Sequence, residues 1–423
     1  MNSVSFLQTF FPLTVKFWTN SSFYVLNSFR HISFFRSYIT VSRTFHRPLS
    51  YLHSCVILCS YHLNPSTLTR PQQSYGVFLA HYISTSTFPG GTRLAYAFIG
   101  GLSVSQALLV SPIATLTTGY FGTRTTLLIG VFFETLSFIG SSFCRQVWQL
   151  ALAQGICFGW GMGFLFVGSV GVIPQWFTTR RSLANGIGAA GSGCGGLVYS
   201  LAAGAMIRTI GLAWAFRVLG IVSGVVNIIC SILIRDRNHA VGAKQVPFDA
   251  KLLRKGEFWG LMGWGFLSML GYIVLLFSLP NYATQSLGLT SAQGSVVGAI
   301  LNLGQMLGRP PIGYYSDRIG RINMAIGTTF FAGFFALVIW VNSHSYGVLI
   351  FYALIGGTVA GAYWATVAPV TAEVVGLKDL PGALSMTWLN LVLPTTCKCC
   401  SVYWLDTAPV SYTHLTLPTI LRV

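Results

Sequence analysis

The stretch GRPPIGYYSDRIGR, Gly308–Arg321, decides the fold of this chain. It lies between two apolar runs, Ser291–Leu307 and Ile322–Val341. Arg309 falls one turn before the apolar span Ser291–Gly313 ends, and a compact loop then carries Asp317, Arg318 and Arg321 around Gly313 and Gly320. A charge at that depth in an apolar helix calls for a function or a partner. A short basic loop closing two apolar helices marks a cytoplasmic turn of a multi-spanning membrane protein.

Composition agrees. Only 8% of the 423 residues are charged, where a soluble domain carries about 25%. Hydrophobic residues make up 53%, and the mean hydropathy is +0.65. So little charge cannot cover a soluble fold of this length. Many apolar runs approach the roughly 20 residues that cross a bilayer as a helix. The alternating segments of a β-barrel are absent from the pattern. The chain therefore reads as an all-α integral membrane protein. The predicted spans are Leu94–Thr118, Thr126–Phe143, Trp148–Ile173, Leu183–Ile207 and Trp214–Ile234, then Phe258–Pro280, Ser291–Gly313, Ile322–Val341, Gly347–Ala372 and a shortened Gly382–Thr395. Tyr75–Ile83 resembles the end of an earlier span.

Charge orients them. Arg124, Arg180, Arg181, Arg318, Arg321 and Lys378 fall in alternate loops, together with Arg235, Arg237, Lys244, Lys251, Arg254 and Lys255 of the central stretch. The positive-inside rule makes those loops cytoplasmic. Much of the net charge of +17 is thus topology, and no soluble basic domain is present to bind nucleic acid. The central stretch divides the helices into two groups. Shifting the second group back by 198 positions lays Pro310 on Pro112 and Gly320 on Gly122 but Asp317 on Gly119, a degenerate internal copy. The expected organisation is an atypical segment 1–74, a first bundle 75–234, a cytoplasmic loop 235–257, a second bundle 258–395 and a tail 396–423.

Gly313–Arg321, GYYSDRIGR, resembles the G-x-x-x-D-R-x-G-R loop signature of the major facilitator superfamily. Trp176–Gly191, WFTTRRSLANGIGAAG, is similar to the fifth-helix signature of its monocarboxylate transporter family, fungal branch. Phe177, Arg180, Arg181, Leu183, Ala184, Gly186, Ala190 and Gly191 match that pattern, while Trp176, Thr179 and Gly188 depart from it. The resemblance covers about Tyr75 to Thr395. It implies two six-helix bundles around a central cavity, of which about ten spans are recognisable here. It also implies secondary active or facilitative transport, symport included, of a small organic anion such as a monocarboxylate by alternating access. Riboflavin or another small solute, a non-transporting solute sensor, and an inactive truncated copy are the alternatives. Residues 1–74 and 396–423 do not resemble the family's ends and read as foreign or out-of-frame sequence. The expected residence is the plasma membrane, with vacuolar and mitochondrial membranes as alternatives, and an accessory membrane protein is left open.

The resemblance assigns roles. Arg309 matches the arginine that meets the substrate carboxylate, for which a planar guanidinium fork is suited. The competing reading is an arginine snorkelling to the interface. Proton-coupled relatives carry an aspartate four residues earlier. This chain has Gln305 there, and glutamine cannot exchange a proton. Asn302, seven residues before Arg309, shares its helix face. Gln106, Tyr272, Asn281 and Trp388 are weaker cavity candidates. Gly313, Asp317, Arg318, Gly320 and Arg321 form a gating loop, or else a turn that fixes topology. Asp317 is placed to pair locally or to cap a neighbouring helix start. Arg180 and Arg181 read mainly as topological anchors. Glu134, in mid-span, is the candidate coupling acid, for a proton or substrate role, with a structural hydrogen bond or a protonated resting state as the equal alternatives, and Arg217 is a further intramembrane charge. Gly191, Gly193 and Gly196 spell a dinucleotide motif, but within an apolar helix and without the following acid. No enzyme constellation, cofactor motif or metal set is seen, and Cys397, Cys399 and Cys400 cluster in the doubtful tail.

Overall fold

The structure is a computed structural model that describes residues 91–396, together with Tyr75, Phe78, His81, Tyr82, Phe88 and Pro89. The terminal segments, the cysteine cluster and the side chain of Asn281 lie outside the described residues. Each predicted span falls on a helix. In chain order these are α1 (Arg93–Leu109), α2 (Ser111–Ser141), α3 (Val147–Trp176), α4 (Arg181–Ile210), α5 (Leu212–Leu233), α6 (Gly256–Gln285), α7 (Ser291–Ile319), α8 (Arg321–Trp340), α9 (Tyr346–Val375) and α10 (Leu380–Asn390).

The helix ends follow local chemistry. Thr92 caps α1 by accepting the Ala95 N–H at 3.1 Å. Thr290 and Gln293 close a capping box on α7. The first two predicted spans meet inside α2, where Gly122 adopts φ 83°, ψ 165°. There the chain folds back on itself, because Thr118 Oγ1 lies 3.1 Å from Thr126 Oγ1 across eight residues. Gly211, between α4 and α5, and Gly376, between α9 and α10, repeat the same corner at φ 84°, ψ 164°. A side chain is strained at such angles. Gly320, which the 198-residue shift laid on Gly122, turns α7 into α8 with φ 110°. The compact loop expected here is not one, because Gly313, Asp317 and Arg318 lie in α7 and Arg321 opens α8, leaving Gly320 alone as the turn.

Among the described residues, five stretches are long and apolar enough by themselves to cross a membrane, or six if the pair α1–α2, bent by 42°, is one span. Ten were expected. The two 29- to 30-residue helices that fall short are α4 and α7. Glycine, serine and amide side chains lower their hydropathy, and these are the helices that pack most extensively on each other. α8 is the opposite case. Ile326, Phe330, Phe331, Phe334 and Leu337 are exposed along it, as suits a helix facing lipid.

The basic loops gather at one end. Ser182 at the start of α4 bonds Asp317 at the end of α7, Arg321 reaches Glu373 near the end of α9, and Trp176 Nε1 donates to the Arg235 carbonyl. Hydrophobic association is weak between helices in lipid, so small residues that let backbones approach set the packing. Along the α4–α7 seam a Cβ on Gly186 would stand 2.5 Å from the Arg309 carbonyl oxygen, and one on Gly313 would overlap the Ser182 carbonyl. We therefore expect Gly313→Ala to lower unfolding free energy by about 1–3 kcal/mol. Gly260→Ala, where an added Cβ meets nothing within 4 Å, should leave it unchanged or slightly raised. Thermal unfolding in detergent micelles distinguishes the two.

Candidate functional site

Arg309 is 3% exposed, so it does not snorkel. Its guanidinium is divided between the two halves of the molecule. Toward α4, Nη1 donates to the Ala189 carbonyl at 2.6 Å and to the Ser192 hydroxyl. Within its own half, Nε donates to the Gly361 carbonyl at 3.3 Å and Nη2 to Gln305 Oε1 at 2.7 Å. All four acceptors are uncharged. Among the described residues no carboxylate lies within ion-pair distance of Arg309. The approach depends on Gly361, where a Cβ would stand 3.1 Å from Arg309 Nε.

Gln305 is 1% exposed. Its Oε1 also accepts the Tyr272 hydroxyl of α6 at 3.1 Å. With Oε1 turned to both donors, Nε2 is buried without a hydrogen-bond partner among the described residues. Asn302, on the same helix, is half-buried, and its Oδ1 likewise has no partner there. Arg309, Gln305 and Tyr272 thus form one polar chain, with Asn302 further along α7.

One turn nearer the basic end the halves meet through aromatic rings. Phe166 of α3 lies 5.7 Å from Trp364 of α9 and 5.0 Å from Trp388 of α10, and the two indoles stack at 5.9 Å. Trp388 is fully buried, and its Nε1 has no hydrogen-bond partner among the described residues. Beside this layer, Asn185 Nδ2 donates to the Ala365 carbonyl at 2.6 Å. Pro369, four residues on, has no N–H to offer that carbonyl, so the α4 amide satisfies it. Gln106 is engaged by Trp160 Nε1 at 3.1 Å.

At the basic end Asp317 does both things anticipated of it. Its carboxylate accepts the Ser182 N–H at 3.1 Å and the Leu183 N–H at 2.9 Å. The residue before α4, Arg180, makes no side-chain cap. Asp317 therefore caps α4 from the opposite half, where the helix dipole favours a negative charge. Arg321 Nε lies 3.4 Å from Asp317 Oδ1, and its Nη1 lies 3.5 Å from Glu373 Oε2. Arg318 stands apart from that network, over the Tyr314 ring at 4.5 Å. Arg181 Nε holds the Phe177 carbonyl at 2.7 Å. Leu183 and Ala184 are buried beneath the cap, and Gly191 precedes Ser192 on α4. The two motifs read separately in the sequence are one contact in space.

Glu134 is not part of that assembly. It is 1% exposed inside the first half, where Asn227 Nδ2 of α5 donates to its Oε2 at 2.7 Å. α3 crosses it closely, since a Cβ on Gly161 would stand 2.5 Å from the Glu134 nitrogen. Arg217 belongs to the far end, between Phe143 at 4.8 Å and Trp214 at 4.9 Å, donating to Ser142 Oγ at 3.1 Å. Sequence reasoning missed Ser192, Asn185 and Asn227. Each is a small polar residue in an apolar helix, which was the available signal. Nothing in a linear reading says which carbonyl it faces.

A model of the Major Facilitator Superfamily matches residues 74–378. The chain belongs to the Major Facilitator Superfamily. It is 35% identical over 320 residues to "Probable transporter MCH2" of Saccharomyces cerevisiae, covering 74% of this chain and 67% of that one. It is 32% identical over 300 residues to "Uncharacterized transporter ESBP6" of the same yeast, covering 68% and 44%. The chain thus spans about two thirds of the first relative and under half of the second. The solved proton:xylose symporter XylE, bound to 6-bromo-6-deoxy-D-glucose, superposes with a TM-score of 0.66 at 14% identity, over 86% of this chain and 91% of that one. That likeness carries the fold. The protein is a multi-pass membrane transporter of this superfamily, and the two yeast relatives carry transporter names.

The Glu134–Asn227 bond makes a direct prediction. Asn227→Leu removes the hydrogen bond to the buried Glu134 Oε2 and should cost about 1–3 kcal/mol of stability. Glu134→Gln, which keeps a hydrogen-bonding partner for Asn227, should unfold close to the native temperature. Differential scanning fluorimetry in micelles measures both.

Proposed function

We propose that this transporter carries a small organic anion, a monocarboxylate in the first instance, by alternating access at the Arg309 site. The observation that carries the reading is the surroundings of Arg309. A buried cation is costly unless it is paired, and here its four hydrogen bonds end on uncharged acceptors. A bound carboxylate supplies the opposite charge and accepts from the planar fork in a bidentate way. Gln305 Nε2 is a second buried donor four residues away. Under the positive-inside rule the basic end faces the cytoplasm. Asp317, its α4 cap, Arg321 and Glu373 then form the cytoplasmic gate, and the Phe166–Trp364–Trp388 layer separates the site from it. When this end opens, α4 leaves α7, and the cap and the Arg309–Ala189 bond part together.

Coupling follows from the same residues. With an amide at position 305 and Glu134 bonded to Asn227 outside the site, no acid among the described residues shares the Arg309 cage, so transport is facilitative or by exchange. The expected residence is the plasma membrane.

Purified protein in liposomes tests this with labelled monocarboxylates. Arg309→Ala should reduce uptake by about 100-fold at unchanged insertion, the scale of removing one partner of a buried charged contact. Arg309→Lys keeps the charge but loses the fork, and should reduce uptake by about tenfold. Monocarboxylate uptake that ignores both changes removes the anion reading. Riboflavin uptake indifferent to Arg309→Ala would put the neutral-solute alternative in its place, and binding without flux would indicate a sensor.

An imposed pH gradient should change native uptake by less than about twofold, because glutamine does not titrate. Gln305→Asp places a titratable group against Arg309 and should make uptake rise with an inward proton gradient. A gradient response of the native chain that is lost in Glu134→Gln would assign coupling to Glu134 instead.

A further inference from the structure

Residues 234–255 run from α5 to α6 across the basic end, and they are fastened to both halves. The first part belongs to the first half. Arg124 Nε donates to the Ile234 carbonyl at 3.2 Å, and Arg237 N to Gln175 Oε1 at 3.0 Å. Gln175 Nε2 donates to Asn238 Oδ1 at 2.8 Å, and Asn238 Nδ2 to Thr123 Oγ1 at 3.2 Å. The Arg237 guanidinium covers the Trp176 ring at 5.1 Å. A short helix, Asn238–Val241, then ends at Gly242 in the left-handed region, φ 64°.

The next three residues change sides. Lys244 N donates to the Lys378 carbonyl at 2.8 Å, and Lys244 Nζ lies 3.4 Å from Asp379 Oδ1, just before α10. The Val246 carbonyl lies against Gly382 of α10, where a Cβ would stand 2.7 Å away. Between them Gln245 rests on Gly119 of α2, where a Cβ would meet its Cβ at 2.9 Å. Beyond, Leu252 is buried in a core with Phe258, Leu261, Val375, Ala383 and Met386 of the second half. Directly above this stretch, Ser111 Oγ of α2 donates to the Ser385 carbonyl of α10 at 3.2 Å.

We propose that residues 244–246 are a clasp over the α2–α10 seam that weights the transporter toward the state with its basic mouth closed. The segment joining the halves is then itself a conformational control element. Opening this mouth separates α2 from α10, so the clasp must release one of them. Among the described residues the α10 side has a backbone hydrogen bond and an ion pair, whereas the Gly119 side has van der Waals contact alone. The clasp therefore parts from α2 and stays with the second half. Gly242 is the pivot between it and the stretch bonded to Gln175 and Thr123. The proposal rests on rocking of the two halves and is independent of the solute carried.

The test uses the full chain in lipid nanodiscs without solute. Spin labels are attached through p-acetylphenylalanine at Tyr120, on α2, and Ile319, at the end of α7, which leaves the native cysteines in place. Electron–electron double resonance then reads the distance across the basic mouth. Lys244→Glu unseats the clasp from Asp379, so the closed state alone loses the Gln245–Gly119 contact, and the ratio of long to short distances should rise by about twofold, the scale of a few van der Waals contacts. Adding Asp379→Lys should return the distribution to the native one. Gly382→Val, which pushes the Val246 carbonyl away without touching charge, should also lengthen the distances. Native distributions in both Lys244→Glu and Gly382→Val would overturn the clasp. So would a Lys244→Glu shift that charge exchange fails to reverse. Because no solute is present, a wrong substrate assignment leaves the result untouched.

Discussion

Two backbones in van der Waals contact organise this molecule. Gly186 admits the carbonyl of Arg309, and Gly313 admits the carbonyl of Ser182, so α4 and α7 approach as closely as helices can. Three other features follow from that approach. The Asp317 carboxylate comes within hydrogen-bond range of the α4 N-terminus. The Arg309 guanidinium comes within reach of Ala189 and Ser192. The Asn185 amide reaches the carbonyl that Pro369 leaves open. Side chains at the two glycines would hold the helices apart and loosen all three together.

The arrangement also distributes charge economically. The chain has eight acids, and three of them stand at the basic end in ion pairs with Arg321 and Lys244. A fourth, Glu134, is bonded within the first half. Arg309 is left among dipoles. Carbonyl, hydroxyl and amide oxygens satisfy hydrogen-bond geometry without neutralising charge, and so they compete weakly with an anion. The amide at position 305 belongs to the same economy. A carboxylate there would neutralise the guanidinium from four residues away on the same helix.

Much of this was legible in the sequence, for physical reasons. Span positions come from apolar run length, which the bilayer fixes. The helix corners come from glycines that alone accept the required φ, as at Gly122 and Gly320. Asp317 and Arg309 were conspicuous because charge is rare here. What stayed hidden was every partner across the seam. Ser192 follows a run of small residues whose packing role concealed its hydroxyl. Asn227 gave no sign of facing Glu134, 93 residues earlier. The central stretch read as a cytoplasmic loop because it is polar and short, yet Leu252 is buried and Lys244 is bonded to the Lys378 carbonyl just before α10. α4 and α7 also showed how a composition rule fails. Helices that line the seam between two halves carry the glycines and amides that a lipid-facing helix avoids, so hydropathy understates them.

The aromatic layer between the halves has an optical consequence. Trp364 and Trp388 are stacked 5.9 Å apart in one half, and a single phenylalanine ring of the other half, Phe166, lies against both. Buried indoles emit at short wavelength, and hydration moves the emission to the red. When the halves part, water takes the place of the Phe166 ring beside both indoles at once. The chain has eleven tryptophans, so in the opening proposed above this pair contributes one red-shifting component to the native emission rather than the whole of it.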